Sequence, residues 1–221
     1  MKHSPREWMI RILFLFVGLT IAHLGVTLFL LTELGSDPFN VLIQGLFRVL
    51  FRLTGWSFLS HGRVHIAVNL LIILILFLAD RNYIKVGTVL CMVCGGPIID
   101  FFTLLLAPLF DTMNALPPRI LILAFGCVIL AYGMTIVIKS DAGTGPNDLV
   151  AIAISDKLRG RFSLVRIIVD ICFVAIGWFL GGTFGIGTVI CAVLVGPVAG
   201  FFMPRNERII EGIIRNAMSK G

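Results

Sequence analysis

The amino-acid sequence predicts an all-α polytopic membrane protein made of two homologous halves, each with four helical segments. Hydrophobic residues make up 58% of the 221-residue chain and charged residues only 14%, whereas soluble domains are about half apolar and about a quarter charged. A long segment of the chain recurs once with matched residues. In both copies a short motif rich in Gly, Pro and acidic residues interrupts the apolar runs, so we predict helices that are broken at these motifs.

The interrupting motif reads DAGTGPND at residues 141–148 and ELGSDPFN at residues 33–40. Irregular backbone lies at membrane depth only where protein or a water-filled cavity covers it. Two interpretations follow for residues 143–148. The motif either offers backbone N–H groups and a helix N-terminus to a ligand, or it forms a tight turn between two helices. Asp148 argues against a strongly anionic ligand.

The two halves align at both their beginnings and their ends. Arg11-Ile12-Leu13 matches Arg119-Ile120-Leu121, and the run GTVLCMVCGGPIIDFF from Gly87 matches GTVICAVLVGPVAGFF from Gly187. Such self-similarity is typical of proteins built from internal repeats. We therefore divide the chain into a first membrane repeat at 1–107, a second membrane repeat at 108–204 and a basic cytoplasmic tail at 205–221.

The first helix of each half is long, at residues 11–32 and 119–140. Its glycines recur seven residues apart, which places them on one face where a neighbouring helix can approach closely. These glycines are Gly18 and Gly25 in the first half and Gly126 and Gly133 in the second.

The second helix of each half is short and begins at a proline, at residues 38–53 and 146–158. Proline suits the first turn of a helix, and Asn40 or Asp148 in that turn complements the helix dipole. The third helices are long, and the fourth begin at Gly87 and Gly187. Prolines 97 and 197 interrupt the fourth helices and predict kinks.

The short second helices leave the number of membrane crossings open. Thirteen helical residues span about 20 Å, against a hydrocarbon core of about 30 Å. If these helices cross, the halves have four spans each and run parallel; if they re-enter, the halves have three spans each and are inverted. Both arrangements place both termini in the cytoplasm. The loops after the two short helices are both basic, which favours one shared side, hence eight crossings and a cytoplasmic loop at 55–62.

Composition and motifs also exclude several classes of function. The basic residues that give the net charge of +6 lie at the ends of apolar runs, where they orient a membrane protein, so we expect no nucleic-acid partner. No Walker motif, Rossmann fingerprint, HExxH sequence or nucleophile elbow is present, so we expect no enzymatic activity, no cofactor and no metal site. The five cysteines all lie in apolar runs and are expected to be packing residues.

The motif G-x-G-P-x-D at Gly143 to Asp148, followed by Gly187-Thr188 and Gly196-Pro197, resembles the YczE/YyaS/YitT family of bacterial integral membrane proteins. The resemblance covers most of the chain and is better in the second half. The first half departs from the motif, with Asp37 at the position of Gly145 and Asn40 at that of Asp148. The resemblance implies a bacterial cytoplasmic membrane and a repeat architecture, and it implies no substrate.

Ionisable residues inside predicted membrane helices are candidates for function. Asp170 lies one turn after Arg166, so it either forms an intrahelical pair near the membrane surface or faces a polar cavity. Its counterpart in the first half is Asn69, itself one turn after His65. Asp100 follows the Pro97 kink, where it either caps freed backbone groups or faces the same cavity.

We therefore predict a small-solute transporter or permease whose site lies between the repeats, in contact with the lipid bilayer. The alternative is a membrane scaffold or accessory protein without transport activity. A membrane enzyme has the least support. His23, near the middle of the first helix, is interpreted as a packed, hydrogen-bonded residue. The predicted substrate-binding residues are Pro38, Asn40, Asn69, Asp100, Gly143, Gly145, Pro146, Asn147, Asp148 and Asp170.

Overall fold

A computed structural model describes residues 4–59, 61–110 and 115–219. Within these ranges the protein is all-helical, and a 3-10 turn at Arg81–Tyr83 joins the third and fourth α-helices. Lys2 and Lys220, which belong to the basic residues near the termini, lie outside the described residues. The α-helices are α1 Pro5–Leu31, α2 Pro38–Thr54, α3 His61–Ala79, α4 Val86–Phe110, α5 Leu116–Lys139, α6 Pro146–Leu158, α7 Phe162–Phe179 and α8 Ile186–Ser219.

Six of these helices (α1, α3, α4, α5, α7 and α8) are long and apolar enough to cross a membrane, by length and composition. The other two, α2 and α6, have 17 and 13 residues and begin at Pro38 and Pro146, as the sequence predicts. The described part of the predicted tail at 205–221 continues α8 through Pro204 as helix. The protein is therefore an all-α membrane protein with six long helices and two short ones.

The centre of the bundle is the contact between α1 and α5, which run antiparallel. A Cβ atom on Gly18 would lie 2.8 Å from the Val137 nitrogen, and one on Gly25 would lie 2.3 Å from the Leu130 nitrogen. Residue numbers rise along α1 while those of the facing residues fall along α5. The predicted glycine faces of the two first helices thus pack against each other at backbone distance.

The antiparallel packing of α1 and α5 contradicts the sequence-based preference for eight crossings. Four crossings in each half would make α1 and α5 parallel and would make α4 antiparallel to α1. Instead α4 runs parallel to α1, since Gly87 lies against Leu15 and Gly95 lies against His23. The described part of the predicted loop before α3, residues 55–59, consequently lies at the end of the protein opposite the described ends of α1 and α8.

Each short helix brings the chain back to the side of the bundle on which the preceding long helix ends. The α2 helix runs parallel to α7: Phe39 contacts Phe173 with ring centroids 5.4 Å apart, and further along Arg48 donates to the Gly181 carbonyl just after α7. Because α1 and α7 end on the same side, next to the start of α8, the chain after α1 turns inward and α2 brings it back. The α6 helix does the same from the other side, where the described ends of α1 and α8 meet through a 3.5 Å contact between Ser4 Oγ and Met218 Sδ.

The basic residues that favoured a shared side have local partners instead. Arg48 and Arg63 donate to the carbonyls of Gly181 and Phe58, and Arg52 lies in the last turn of α2. Cations at helix C-termini are stabilised by the exposed carbonyls and the helix dipole. Arg48 and Arg52 therefore serve helix C-termini and Arg63 bonds a loop carbonyl, so these residues do not fix the side of the membrane.

Each broken motif is fixed to the start of a long helix from the other half. Gly187 N donates to Leu34 O at 3.0 Å, and Gly87 N donates to Ala142 O at 2.9 Å. Gly143 has φ of 136°, and a Cβ there would lie 2.4 Å from the Thr88 nitrogen, so only glycine fits. These matched hydrogen bonds hold the unwound backbone in place on both sides of the bundle.

Three of the five cysteines, Cys91, Cys127 and Cys191, are buried free thiols in the apolar core. Cys127 and Cys191 pack with Phe29, Leu123 and other apolar side chains where α5 meets α8. This arrangement agrees with the predicted packing role of these three cysteines. Cys172 is exposed on α7.

Candidate functional site

Both broken motifs open onto one cavity of about 330 Å³ in the middle of the bundle. The starts of α2 and α6 form part of its wall, and apolar side chains from α1, α4 and α5 form much of the rest. A cavity of this size is within the range of small-molecule sites, which are mostly apolar with a few placed polar groups. The polar lining residues are His23, Asp37, Asn40, His65, Asn69, Asn147, Asp148 and Arg166.

The start of α2 is capped by its own motif. Asp37 Oδ1 accepts from the backbone nitrogens of Phe39 at 3.1 Å and of Asn40 at 3.2 Å. The other carboxylate oxygen accepts from the Asn40 side-chain amide. An aspartate at this position satisfies N–H groups that would otherwise face the cavity. The backbone N–H groups at the start of α2 are therefore already occupied by Asp37, whose carboxylate lines the cavity.

The start of α6 is different because Gly145 at the capping position offers no side-chain hydrogen bond. The acidic residue of the motif, Asp148, lies one helical turn later, and its side chain contacts another helix. Its Oδ1 is 2.5 Å from Arg166 Nη1 on α7. The second motif thus places a carboxylate, with 18% of its side chain exposed, at the cavity wall.

Arg166 is shared between two carboxylates. Its Nε donates to Asp170 Oδ2 at 2.9 Å, in addition to the contact with Asp148. Asp170 is only 1% exposed, and its Oδ1 is buried without a hydrogen-bond partner in the described structure. Two negative charges and one positive charge therefore lie together in the interior. Removing charged groups from water costs free energy, so such a cluster is stable only when opposite charges or hydrogen bonds offset that cost.

A neutral group occupies the matching place in the first half. His65 and Asn69 on α3 correspond to Arg166 and Asp170 on α7, as Asn40 corresponds to Asp148. The Asn69 side-chain nitrogen donates to His65 Nδ1 at 3.2 Å. Asn69 is 5% exposed, and its Oδ1 is buried without a partner among the described residues. The Arg166 cluster with its two carboxylates therefore faces no equivalent cluster in the first half, where His65 and Asn69 bond each other.

His23 approaches the cavity from α1. Its Nδ1 donates to Leu19 O at 2.7 Å, which leaves Nε2 as the acceptor in the neutral ring. The absence of a side chain at Gly95 makes room for the ring, since a Cβ there would lie 2.6 Å from His23 Nε2. The histidine is hydrogen-bonded, as the sequence analysis expected, and it also lines the cavity.

A second recess of about 340 Å³ lies on the other side of the second motif. Gly143 and Thr144 line this recess, which we call the vestibule, while Gly145 to Asp148 line the cavity. Thr144 is 4% exposed, and its Oγ1 has no partner among the described residues. The polar side chains around the vestibule are Asp80, Asn82, Tyr83, Lys85, Asp141 and Asp156.

The vestibule carries more acidic than basic side chains. Lys85 forms an ion pair with Asp141, and Arg11 Nη1 lies 3.9 Å from Asp141 Oδ2. Burial, together with a hydrogen bond to the Asp156 carboxylate, raises the pKa of Tyr83 above its ordinary value. Successive residues of the second motif thus line two spaces, 143–144 the acidic vestibule and 145–148 the central cavity.

The structure brings most of the predicted site residues together. Asp170 lies behind Arg166, away from the cavity lining, and Gly143 faces the vestibule. Asp100 lies apart in a shallow pocket with Thr103, Leu104 and Pro108. Asp37, His65 and Arg166 line the cavity without having been predicted, although the Asp-Pro pair at residues 37–38 is a helix-capping signal. The predicted residues that line the cavity are Pro38, Asn40, Asn69, Gly145, Pro146, Asn147 and Asp148.

Among the described residues, no three His, Cys, Asp or Glu side chains are grouped so as to hold a metal ion.

Comparison with known proteins finds relatives over nearly the whole chain. Residues 9–204 match the model of a family of unknown function, DUF6198. The chain is 30% identical to the uncharacterised membrane protein YczE of Bacillus subtilis (strain 168), over 93% of this chain and 91% of that protein. It is 28% identical to an uncharacterised protein of Haemophilus influenzae (86% and 81%) and 26% identical to the uncharacterised protein YyaS of B. subtilis (87% and 92%). No solved structure matches the chain.

Proposed function

The chain belongs to the DUF6198 family, and from this premise we propose that it is a small-solute transporter or permease of the bacterial cytoplasmic membrane. The solute site lies in the central cavity, between two inverted repeats. One observation carries the proposal: the two broken motifs, which lie far apart in sequence, meet at one cavity in the middle of the bundle. Helices interrupted at membrane depth around a central site are a recurrent feature of transporters.

Matched contacts support the inverted-repeat arrangement. The bond from Gly187 to Leu34 has its counterpart in the bond from Gly87 to Ala142, between equivalent positions of the two halves. The α1 helix packs on α4 as α5 packs on α8, with both pairs parallel. Since α1 and α5 are themselves antiparallel, an axis in the membrane plane relates the halves.

The second motif is a suitable barrier on the solute pathway. Gly143 and Thr144 of this motif line the vestibule, and Gly145 to Asp148 line the cavity. Residues 143–145 precede α6, so their backbone is not part of a helix. In the proposed mechanism, movement of this motif opens the cavity to the vestibule while the rest of the bundle stays closed.

The charge distribution supports a cytoplasmic location for both termini. Among the described Lys and Arg residues, those on the far side from the termini are Arg48, Arg52, Arg63 and Arg119. All the others lie toward the side of the termini, and cytoplasmic loops carry the excess of basic residues.

Cysteine labelling tests this topology. In a variant without the five native cysteines, Ser57→Cys should react with an impermeant thiol reagent added outside intact cells, because the loop at 55–59 lies opposite the termini. Lys157→Cys, in the last turn of α6 beside the corresponding loop of the second half, is the matched control and should react only after permeabilisation. Equal behaviour of both cysteines would contradict inverted halves.

A solute phenotype tests the function. Uptake and export profiling of a deletion strain should reveal a solute whose distribution the wild-type gene restores. Asp148→Asn should fail to restore it at normal membrane abundance, because the cavity loses its accessible carboxylate while a near-isosteric side chain keeps the fold. Asp100→Asn, outside the cavity, should restore it fully. Full complementation by Asp148→Asn would instead favour a scaffold or accessory protein.

A further inference from the structure

The charged wall of the cavity has an excess of negative charge. Asp148 and Asp170 share a single guanidinium, that of Arg166, and Asp37 adds a carboxylate at the other motif. Arg166 is the only Lys or Arg among the described lining residues. Buried charge of one sign requires a compensating charge nearby, because the desolvation penalty of an unpaired ion is large.

Unused acceptor atoms accompany this charge. Asp148 binds Arg166 through Oδ1 only, and its Oδ2 accepts no hydrogen bond from the described residues. The side-chain oxygen of Asn69, another residue of the cavity lining, is buried and unpartnered among the described residues. Native proteins rarely leave a buried polar atom such as Asn69 Oδ1 unsatisfied. Both Asn69 Oδ1 and Asp148 Oδ2 are acceptors, so a suitable partner for either atom is a hydrogen-bond donor.

The rest of the lining suits a ligand with an apolar body. Leu19, Val26, Leu130 and Met134 face the cavity, and Phe39 contributes an aromatic side chain next to Asn40. A hydrated inorganic ion would bury none of this apolar surface, whereas an alkyl chain would pack against it and gain free energy from its burial.

We propose that the solute is a small organic cation, an alkylammonium compound whose charged nitrogen binds Asp148 and whose apolar part fills the cavity. This inference rests on the proposed function and names its substrate class. The ammonium group donates to Asp148 Oδ2, and its positive charge balances the excess of carboxylates around Arg166. An anionic solute would meet the same carboxylates without compensation.

Three probes of similar shape and different charge test the substrate class. They are butylammonium, butyramide and butyrate, added to the full-length protein in detergent while its thermal unfolding is followed. Butylammonium should raise the midpoint of thermal unfolding with concentration, by about 5–11 °C at one hundred times its Kd. Butyramide and butyrate should leave the midpoint unchanged, because they lack the positive charge.

Two variants locate the binding. Asp148→Asn should remove the butylammonium shift, and Asp100→Asn, which changes an acid outside the cavity, should keep it. Any of three outcomes would overturn the proposal. The butylammonium shift could persist in Asp148→Asn, or butyrate or butyramide could give a larger shift than butylammonium. Butylammonium could also give no shift at concentrations up to roughly 10 mM, above the millimolar Kd of a weak complex. In the last case, a bound proton remains as the source of the compensating charge.

The same measurement separates this inference from the proposed function. A saturable butylammonium shift without any solute phenotype in the deletion strain would retain the cation site and remove the transporter. A solute phenotype that requires Asp148, combined with a shift by butyrate alone, would retain the transporter and reject the cation.

Discussion

Replacing Gly25 or Gly133 by leucine should prevent the protein from folding to a stable bundle. A Cβ on Gly25 would lie 2.3 Å from the Leu130 nitrogen, and one on Gly133 would lie 2.3 Å from the Ala22 nitrogen. Both obstacles are backbone atoms of the facing helix, which cannot rotate away as a side chain can. Separating α1 from α5 would open the centre of the protein. Membrane abundance and thermal stability in detergent should both fall to a small fraction of the wild-type values.

Gly212→Leu is the matched control, since no atom lies within 4 Å of the position a Cβ would take there. This variant should keep wild-type abundance, because leucine in a helix is more favourable than glycine by up to about 1 kcal/mol. Normal yield and unchanged stability of both Gly25→Leu and Gly133→Leu would show that α1 and α5 do not pack as described.

Arg166→Met should destabilise the protein by about 3–5 kcal/mol, the usual effect of removing one partner from a buried ion pair. Methionine keeps the length of the side chain but leaves Asp148 and Asp170 without their common cation. Asp170→Asn should by contrast leave stability near the wild-type level. Arg166 retains Asp148 as its ionic partner, and the asparagine oxygen can still accept from Arg166 Nε, now 2.9 Å from Asp170.

Thermal unfolding of the two variants in the same detergent measures this difference. The contrast separates two roles of Asp170: a carboxylate that is essential to the pair would make Asp170→Asn as damaging as Arg166→Met. Equal losses would therefore contradict a shared cation with surplus negative charge. The combined variant with Asp148→Asn, Arg166→Met and Asp170→Asn should recover much of the stability lost in Arg166→Met, because no buried charge remains in that cluster.

Helix positions and the contacts of the glycine faces were predictable from the sequence because both depend on local patterns. Long apolar runs define the helices, and glycines at a spacing of seven residues define a face. The direction of the second half was not predictable in the same way. The basic residues Arg48, Arg52 and Arg63 suggested a shared side, but they bind carbonyls or lie at a helix end, so their presence carries little information about the side of the membrane.

The candidate site was predictable where it depends on the motif itself. Asn40, Asn147 and Asp148 line the cavity because any helix that starts inside a bundle must point its first turn at interior space. The contact between Asp148 and Arg166 joins two helices, and the sequence spacing within either helix does not predict a contact between helices. Asp100 was predicted either to cap backbone groups freed by the Pro97 kink or to face the cavity, and its position on α4 places it outside the cavity.

The hydrogen bonds that fix the broken motifs have a consequence for the order of synthesis. When Ala142 leaves the ribosome, its partner Gly87 has already been made, so the second motif can be closed at once. The first motif must wait, because Thr188, which binds Ser36, follows it by 152 residues. An open carbonyl in lipid costs several kcal/mol. A nascent chain that ends before α8 therefore leaves the carbonyls of Leu34 and Ser36 without their partners on α8. The last helix to be synthesised supplies the hydrogen bonds that hold the first motif.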